Sequence, residues 1–348
     1  MSKNLLLDSN LRRCRCCVMP EVPGHLEFDE TGMCALCREM EQISQSEIKP
    51  PALQFESKSS EEKKAIFLKK IQRFRSEGNY DCLVAVSGGK DSIMTLSVAH
   101  DLGLKPLALF VDNGFALPEM FDNIRNATDA MQIDWITFRT TEMKRLFRTL
   151  LESRKNIYYC RVCHIVLEDL IKTTALRYGI RLILGGYTKG QSYLKQNALS
   201  WIFEESDRNT MEVLKADGTF DSYLELFSDP IKYAVKHHRG VTQISPFKYL
   251  DYDEEKIIQT LKEKYHFRLP ENSWPAHSTN CAFNYVSQYL AFRQFGYSQH
   301  ETEFSDLVRS GEMTREQAEK LANTPITEQH LIDALQVLNL SLDVIPKK

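Results

Sequence analysis

The stretch NIYYCRVCHIVLEDL, residues 156 to 170, sets Cys160 and Cys163 three apart at the mouth of a helical pattern. A further cysteine, Cys281, lies far downstream in PAHSTNCAFN, with His277 and Asn280 beside it. Two plus one is one ligand short of a closed zinc site. Three thiolates can instead hold a [4Fe–4S] cluster with one iron left open, or form a relay of persulfide and resolving thiols. Both uses suit sulfur transfer, and the bland reading is three thiols that never meet.

A second cysteine set is local. Cys14-x2-Cys17 and Cys34-x2-Cys37, sixteen residues apart, have the spacing of two knuckles closing on one tetrahedral Zn²⁺. A four-thiolate site leaves no open position, so its expected role is architectural. Cys16 is a spare thiol inside the first knuckle, and Cys82, in an apolar run, is expected in the core.

The third group is VAVSGGKDS, Val84 to Ser92. A glycine pair after a buried strand lets the backbone turn tightly and present its N–H groups, and the following helix offers its N-terminus. That loop can cradle a polyphosphate. It lacks the four-residue spacer of a Walker A loop.

The elements that must position these groups alternate. YDCLVAV, KPLALFVDNG, DWITFRT and IRLILGG read as strands, separated by helical patterns that include LPEMFDNIRNATDAM, TEMKRLFRTLLESR and CHIVLEDLIKTTALRYG. This order predicts an α/β fold, a parallel sheet with helices on both faces. After Tyr187 the pattern turns irregular, and residues 253 to 338 read as mainly helical. The expected organisation is a zinc-binding knuckle over 1–45, a polar Ser- and Pro-containing linker over 46–65, the sheet domain over 66–250 and a helical region over 251–348.

Composition bounds the rest. With 43% hydrophobic and 26% charged residues the chain is of the soluble globular class. No window approaches the roughly 18 apolar residues of a membrane span, and MSKNLLLDSN lacks the basic start and apolar run of a signal peptide, so a cytoplasmic location without membrane contact is expected. Nine cysteines in that reducing setting favour metal or thiol chemistry over disulfides. A net charge of -3 carries no global nucleic-acid signature. Residues 139 to 181, however, hold ten Lys or Arg against four acids, either a solvated helix surface or a surface for an anionic substrate.

The Ser-Gly-Gly-Lys-Asp-Ser string resembles the loop of the PP-loop ATP pyrophosphatases, which include asparagine and GMP synthetases and tRNA thiolation enzymes. The resemblance implies cleavage of ATP to AMP and pyrophosphate with Mg²⁺, a substrate oxygen attacking the α-phosphorus. Ser87, Gly88, Gly89 and Ser92 would bind pyrophosphate, Lys90 would neutralise developing charge, and Asp91 would cap the helix or hold Mg²⁺. Asp112, at the carboxyl end of a strand, would face the nucleotide. Gly185-Gly186-Tyr187 stands where that superfamily often has Gly-His and paired acids, so close backbone approach rather than metal ligation is expected there.

Two branches of the superfamily resemble different parts of the chain. Cys160, Cys163 and Cys281 are placed like the cysteines of [4Fe–4S]-dependent thiolation enzymes. CRCCVMPEVPGHLEFDETGMCALC and LVRSGEMTREQAEKLA resemble the N-acetyl sugar amidotransferases, which take ammonia from a partner glutaminase and need no thiol. The extra thiols favour an ATP-dependent sulfur transferase acting on the carbonyl or amide of a small anionic acceptor, a nucleotide or nucleotide sugar, with an external sulfur donor. The amidotransferase itself and a tRNA thiolase are the alternatives, and homo-oligomers are compatible with either.

Overall fold

The structure is a computed structural model that describes residues 4–6, 11–45, 51–188, 198–275 and 280–346, apart from the side chains of 44 and 51–53. Its centre is a parallel sheet of β1 (Cys82–Ala85), β2 (Pro106–Asp112), β3 (Trp135–Arg139), β4 (Leu182–Gly185) and β5 (Thr242–Ile244), in the order β3-β2-β1-β4-β5. The chain moves outward from β1 to β2 and β3, then returns to place β4 on the other side of β1. That reversal opens a crevice at the carboxyl ends of β1 and β4, where open α/β sheets bind ligands.

Alternate residues of each strand face opposite layers. Cys82 and Val84 of β1, with Ala108 and Phe110 of β2, pack beneath α3 (Ser60–Phe74), α4 (Lys90–Asp101), α5 (Pro118–Met131) and α11 (Glu254–Tyr265). Leu83, Leu107, Leu109 and Ile183 face α7 (Tyr159–Arg177) through Ile171 and Ala175. The sheet is thus covered on both sides. Cys82 is fully buried and, as expected, part of the core; burial pushes its thiol up to about 12.

A second core gathers α6 (Glu142–Glu152), the start of α7, α8 (Ser200–Asp217), α9 (Asp221–Ser228), α12 (Asn284–Phe295) and α15 (Glu328–Gln336). The N-terminal segment with its helix α1 (Ala35–Gln45) packs on α8 and α12, while α13 (Gln299–Arg309) and α14 (Arg315–Ala322) close over Val18.

Three features depart from the sequence reading. The polar stretch expected as a linker carries α2 (Pro51–Glu56) and the beginning of α3. α11, from the segment assigned to the helical region, belongs to the sheet's own cover. The stretch after Tyr187 that looked irregular contains α8, α9, α10 (Pro230–His237) and β5. The apolar stripe of α8 is broken by Ser206 and Thr210, both fully buried, and Ser206 is retained there because its hydroxyl accepts the Tyr158 N–H at 2.9 Å. Among the described residues no helix is long and apolar enough to cross a membrane.

Candidate active site and metal centre

The phosphate loop leaves β1 at Val86 and enters α4 at Lys90. The Ser87 N–H donates to Ser92 Oγ at 3.0 Å, and Ser92 Oγ donates to the Gly89 carbonyl at 2.9 Å, so Ser92 braces the turn from inside. Gly88 has φ +81°, and a Cβ there would meet the Met120 carbonyl at 2.5 Å. A Cβ on Gly186, at the end of β4, would lie 2.7 Å from the Ser92 nitrogen. Gly186 thus gives close backbone approach to the first turn of α4, whereas a Cβ on Gly185 would meet the Tyr187 ring and the Gln243 amide at 3.2 and 3.3 Å. No substituent fits between Gly186 and that turn.

Lys90 is mostly buried, with its Nζ 3.0 Å from Asp91 Oδ2 and 3.9 Å from Glu254 Oε2. Burial opposes its charge, but Asp91, Glu254 and Glu303 outweigh that and raise its pKa, so the ammonium is secured. The other Asp91 oxygen accepts the Tyr252 hydroxyl at 2.7 Å. Asp91 is thus not a helix cap: the N-cap is Gly89, which has no side-chain cap bond.

Above the loop lies a cavity of about 350 Å³. Ser87, Gly89, Lys90, Asp91, Ser92, Gly185 and Gly186 line it, together with Cys160, Cys163 and Cys281. The three cysteines expected to meet are brought into one chamber with the phosphate loop. Cys160 and Cys163 sit in the first turns of α7. Cys281 arrives in a segment that pairs with the loop after β2: Ala116 bridges Cys281, and the Leu117 N–H donates to the Asn280 carbonyl at 3.1 Å. Asn280 reaches back across the phosphate loop, its Nδ2 donating to Ser87 Oγ at 2.8 Å. His277 lies outside the described residues.

Each sulfur receives a hydrogen bond. Ser287 Oγ is 3.1 Å from Cys160 Sγ, and Gln288 Nε2 donates to it at 3.7 Å. Asn113 Nδ2 donates to Cys163 Sγ at 3.4 Å. The backbone N–H groups of Phe283 and Asn284, at the start of α12, bond Cys281. Desolvation still prevails and pushes Cys160 up to about 11, Cys163 to about 12 and Cys281 higher. Neither the helix start nor the neighbouring Arg161 offsets this in the bare protein. Arg161 turns away, pairing with Asp207 at 3.1 Å and stacking over Phe203.

Asp112 also differs from expectation. It is buried, but Oδ1 accepts the Gly114 N–H at 2.8 Å and Oδ2 pairs with Arg139 at 3.3 Å; the cavity is lined by its neighbour Asn113 instead. Of the ten basic residues between 139 and 181, Arg139, Arg145, Arg148, Lys155, Arg161 and Lys172 are engaged by acids. Their charge is largely spent within the protein, which favours the solvated-surface reading.

The N-terminal set has the opposite geometry. Cys14 and Cys37 sulfurs are 3.9 Å apart and Cys17 and Cys34 sulfurs 3.8 Å, all four within 4.8 Å of one another. A tetrahedron with metal–sulfur bonds of about 2.3 Å has edges of about 3.8 Å. Among the described residues this is the one group of three or more metal-capable side chains so gathered. Hydrogen bonding from Cys17 lowers Cys14, while Cys34 and Cys37, each bonded to Cys14, are raised. Cys16 is exposed and outside the set.

With this geometry in view, the Ser-Gly-Gly-Lys-Asp-Ser loop joins the central parallel strand to its helix at the sheet's switch point, the arrangement implied by its resemblance to the loop of the PP-loop ATP pyrophosphatases. Residues 279–343 match the C-terminal domain of WbpG-like LPS biosynthesis proteins. An uncharacterized protein of Methanocaldococcus jannaschii is 22% identical over 76% of this chain and 80% of its own length. Among solved structures, NMN synthetase from Francisella tularensis is similar over 84% of this chain and all of its own, at 14% identity and a TM-score of 0.39. NH3-dependent NAD synthetase from Campylobacter jejuni covers 62% of this chain and 94% of its own, at 11% identity and a TM-score of 0.31. These structural likenesses are too distant to speak to substrate.

Proposed function

We propose that the protein is an ATP-dependent sulfur transferase. A carbonyl or amide oxygen of a small anionic acceptor attacks the α-phosphorus of ATP, pyrophosphate leaves, and the adenylated carbon then takes sulfur while AMP departs with the former oxygen. The observation that carries this reading is the single cavity that joins the phosphate loop to Cys160, Cys163 and Cys281.

The roles follow from placement. The loop N–H groups and Ser87 hold the leaving pyrophosphate, and Lys90, fixed by Asp91, offsets its charge. Asp91, which lines the cavity, is the carboxylate we assign to Mg²⁺. Asn280 must yield its contact with Ser87 when phosphate enters. The three thiols fit a cluster in that they line one cavity, are half-buried and are hydrogen-bonded. A [4Fe–4S] cluster held by Cys160, Cys163 and Cys281 would supply an iron open to sulfide. We assign Zn²⁺ to Cys14, Cys17, Cys34 and Cys37, as a structural ion.

A second reading has its own support. The WbpG-like match over residues 279–343 favours the sugar amidotransferase, with ammonia from a glutaminase partner and the cavity cysteines as wall residues. The deciding measurement is the absorption spectrum and the iron and sulfide content of anaerobically purified protein, beside Cys281→Ser. Sulfur transfer predicts a broad violet absorption that the variant loses. A colourless, zinc-only protein whose pyrophosphate release is unchanged in Cys281→Ser would return the amidotransferase to first place.

A further inference from the structure

The two cysteine sets share a mechanical link. Gln299, His300 and Glu303, in the first turns of α13, line the nucleotide-loop cavity. Ser305 and Arg309, one turn apart and rotated about 200° and 240° from Glu303, lie on another face of the helix. Ser305 Oγ accepts the Val18 N–H at 3.3 Å, and Arg309 Nη1 lies 3.9 Å from Cys37 Sγ. Arg315, opening α14, donates through Nε to the Cys14 carbonyl at 3.3 Å and the Cys17 carbonyl at 3.2 Å. Phe304, Ala318 and Ala322 close on Val18.

The other wall of the cavity is tied to the same place. Tyr158, two residues before Cys160, is 1% exposed and packs in the cluster that contains all four knuckle cysteines. Its hydroxyl accepts the Gln299 N–H at 3.1 Å. Each side of the chamber rests on the knuckle.

What α13 delivers is a polar pair. His300 Nδ1 is 3.8 Å from Glu303 Oε2, and burial holds the imidazole down at about 4, hence neutral. Glu303 acts on Lys90 and on Tyr252, whose hydroxyl holds Asp91. A displacement of α13 changes the field at the phosphate loop without touching the loop.

We propose that the cysteine knuckle is a positioning device for the active cavity: when metal-loaded it seats α13 through Arg315 and Ser305, and so sets the cavity wall that His300 and Glu303 share with Lys90. The effect on turnover rests on the ATP reading above; the mechanical link does not.

The test is hydrogen exchange on full-length, metal-loaded protein carrying Arg315→Met, which keeps the apolar stem and removes both hydrogen bonds to the knuckle carbonyls. Metal content should be unchanged. Amides of residues 299–309 should exchange about tenfold faster, because local opening becomes easier where packing and hydrogen bonding are weakened, while the strands keep their protection. kcat for pyrophosphate release, normalised to the folded fraction read from the unfolding curve, should fall several-fold with KM for ATP nearly unchanged, the mark of an interaction lost in the transition state and not of lost folded enzyme. Ser305→Ala should give the same pattern more weakly and serves if Arg315→Met does not fold. Unaltered exchange over 299–309 in both variants and in chelator-treated protein would overturn the proposal, as would faster exchange with kcat unchanged. A wild-type protein that releases no pyrophosphate would count against the ATP reading alone, since the exchange result stands without turnover.

Discussion

The two cysteine sets each begin with a C-x-x-C, yet the fold makes opposite things of them. In the knuckle the sulfurs face one another at 3.8 and 3.9 Å, nearly devoid of solvent. In the cavity Cys160 and Cys163 face polar groups from other elements, Ser287 on α12 and Asn113 after β2, while Cys281 is bonded by the backbone N–H groups of Phe283 and Asn284 just beyond it. The knuckle's ligands come from one short segment, so their spacing alone dictates closure. The cavity's third cysteine comes from a distant segment, and the sheet must bring it in.

The comparison holds if damage to one set is a loss of chemistry and damage to the other a loss of structure. Lys90→Ala should have the largest effect. Removing a buried cation from a phosphoryl site leaves the developing charge uncompensated, and pyrophosphate formation should drop by about 10²- to 10³-fold. The protein should still fold, because Tyr252 continues to hold Asp91, with the unfolding midpoint lowered by the loss of the Lys90–Asp91 ion pair. Release within tenfold of wild type would place the chemistry elsewhere.

The next contrast is Cys34→Ser against Cys281→Ser. A structural thiolate site contributes folding free energy, so Cys34→Ser should destabilise the N-terminal segment by roughly several kcal/mol, seen as protease cleavage within residues 11–45. Cys281→Ser should leave that segment resistant and remove product formation. Equal protease sensitivity in the two variants would erase the distinction between the sets.

How much of this was legible depended on locality. β1, the phosphate loop and α4 are contiguous, and the knuckle's four ligands span a short stretch, so composition and spacing revealed them. The carboxylate Asp112 misled because adjacent residues at a strand end point to opposite sides: Asn113 reaches the cavity while Asp112 binds Gly114 and Arg139. The pairing of Arg161 with Asp207 was not legible because Asp207 lies on a helix whose own stripe is hidden by buried Ser206 and Thr210. The polar groups around the cavity thiols, Asn113, Ser287 and Gln288, were missed because neutral side chains carry no spacing rule. The signal for Asn113 was its place in VDNG beside the carboxylate.

The smallest effect concerns that asparagine. Asn113 Oδ1 accepts the Phe115 N–H at 3.0 Å, which fixes the amide so that Nδ2 faces Cys163 Sγ at 3.4 Å. Asn113→Asp keeps an acceptor for Phe115 and removes the donor to sulfur, so the turn should survive. Cys163 is already pushed up to about 12 by burial, with the Asn113 hydrogen bond as the opposing influence. Losing that bond and adding a carboxylate should raise it further. In metal-free protein at pH 9, a smaller thiolate fraction should slow alkylation of Cys163 by about three- to tenfold, a neutral hydrogen bond being worth about 1 kcal/mol. Cys160, held by Ser287 on another element, should change little, which separates a local electrostatic effect from a shifted helix. Mass spectrometry of the labelled peptides reads both at once. Equal slowing at the two cysteines would mean that the start of α7 had moved, and that the cavity thiols depend on shared packing, as the knuckle does, rather than on donors supplied to each sulfur separately.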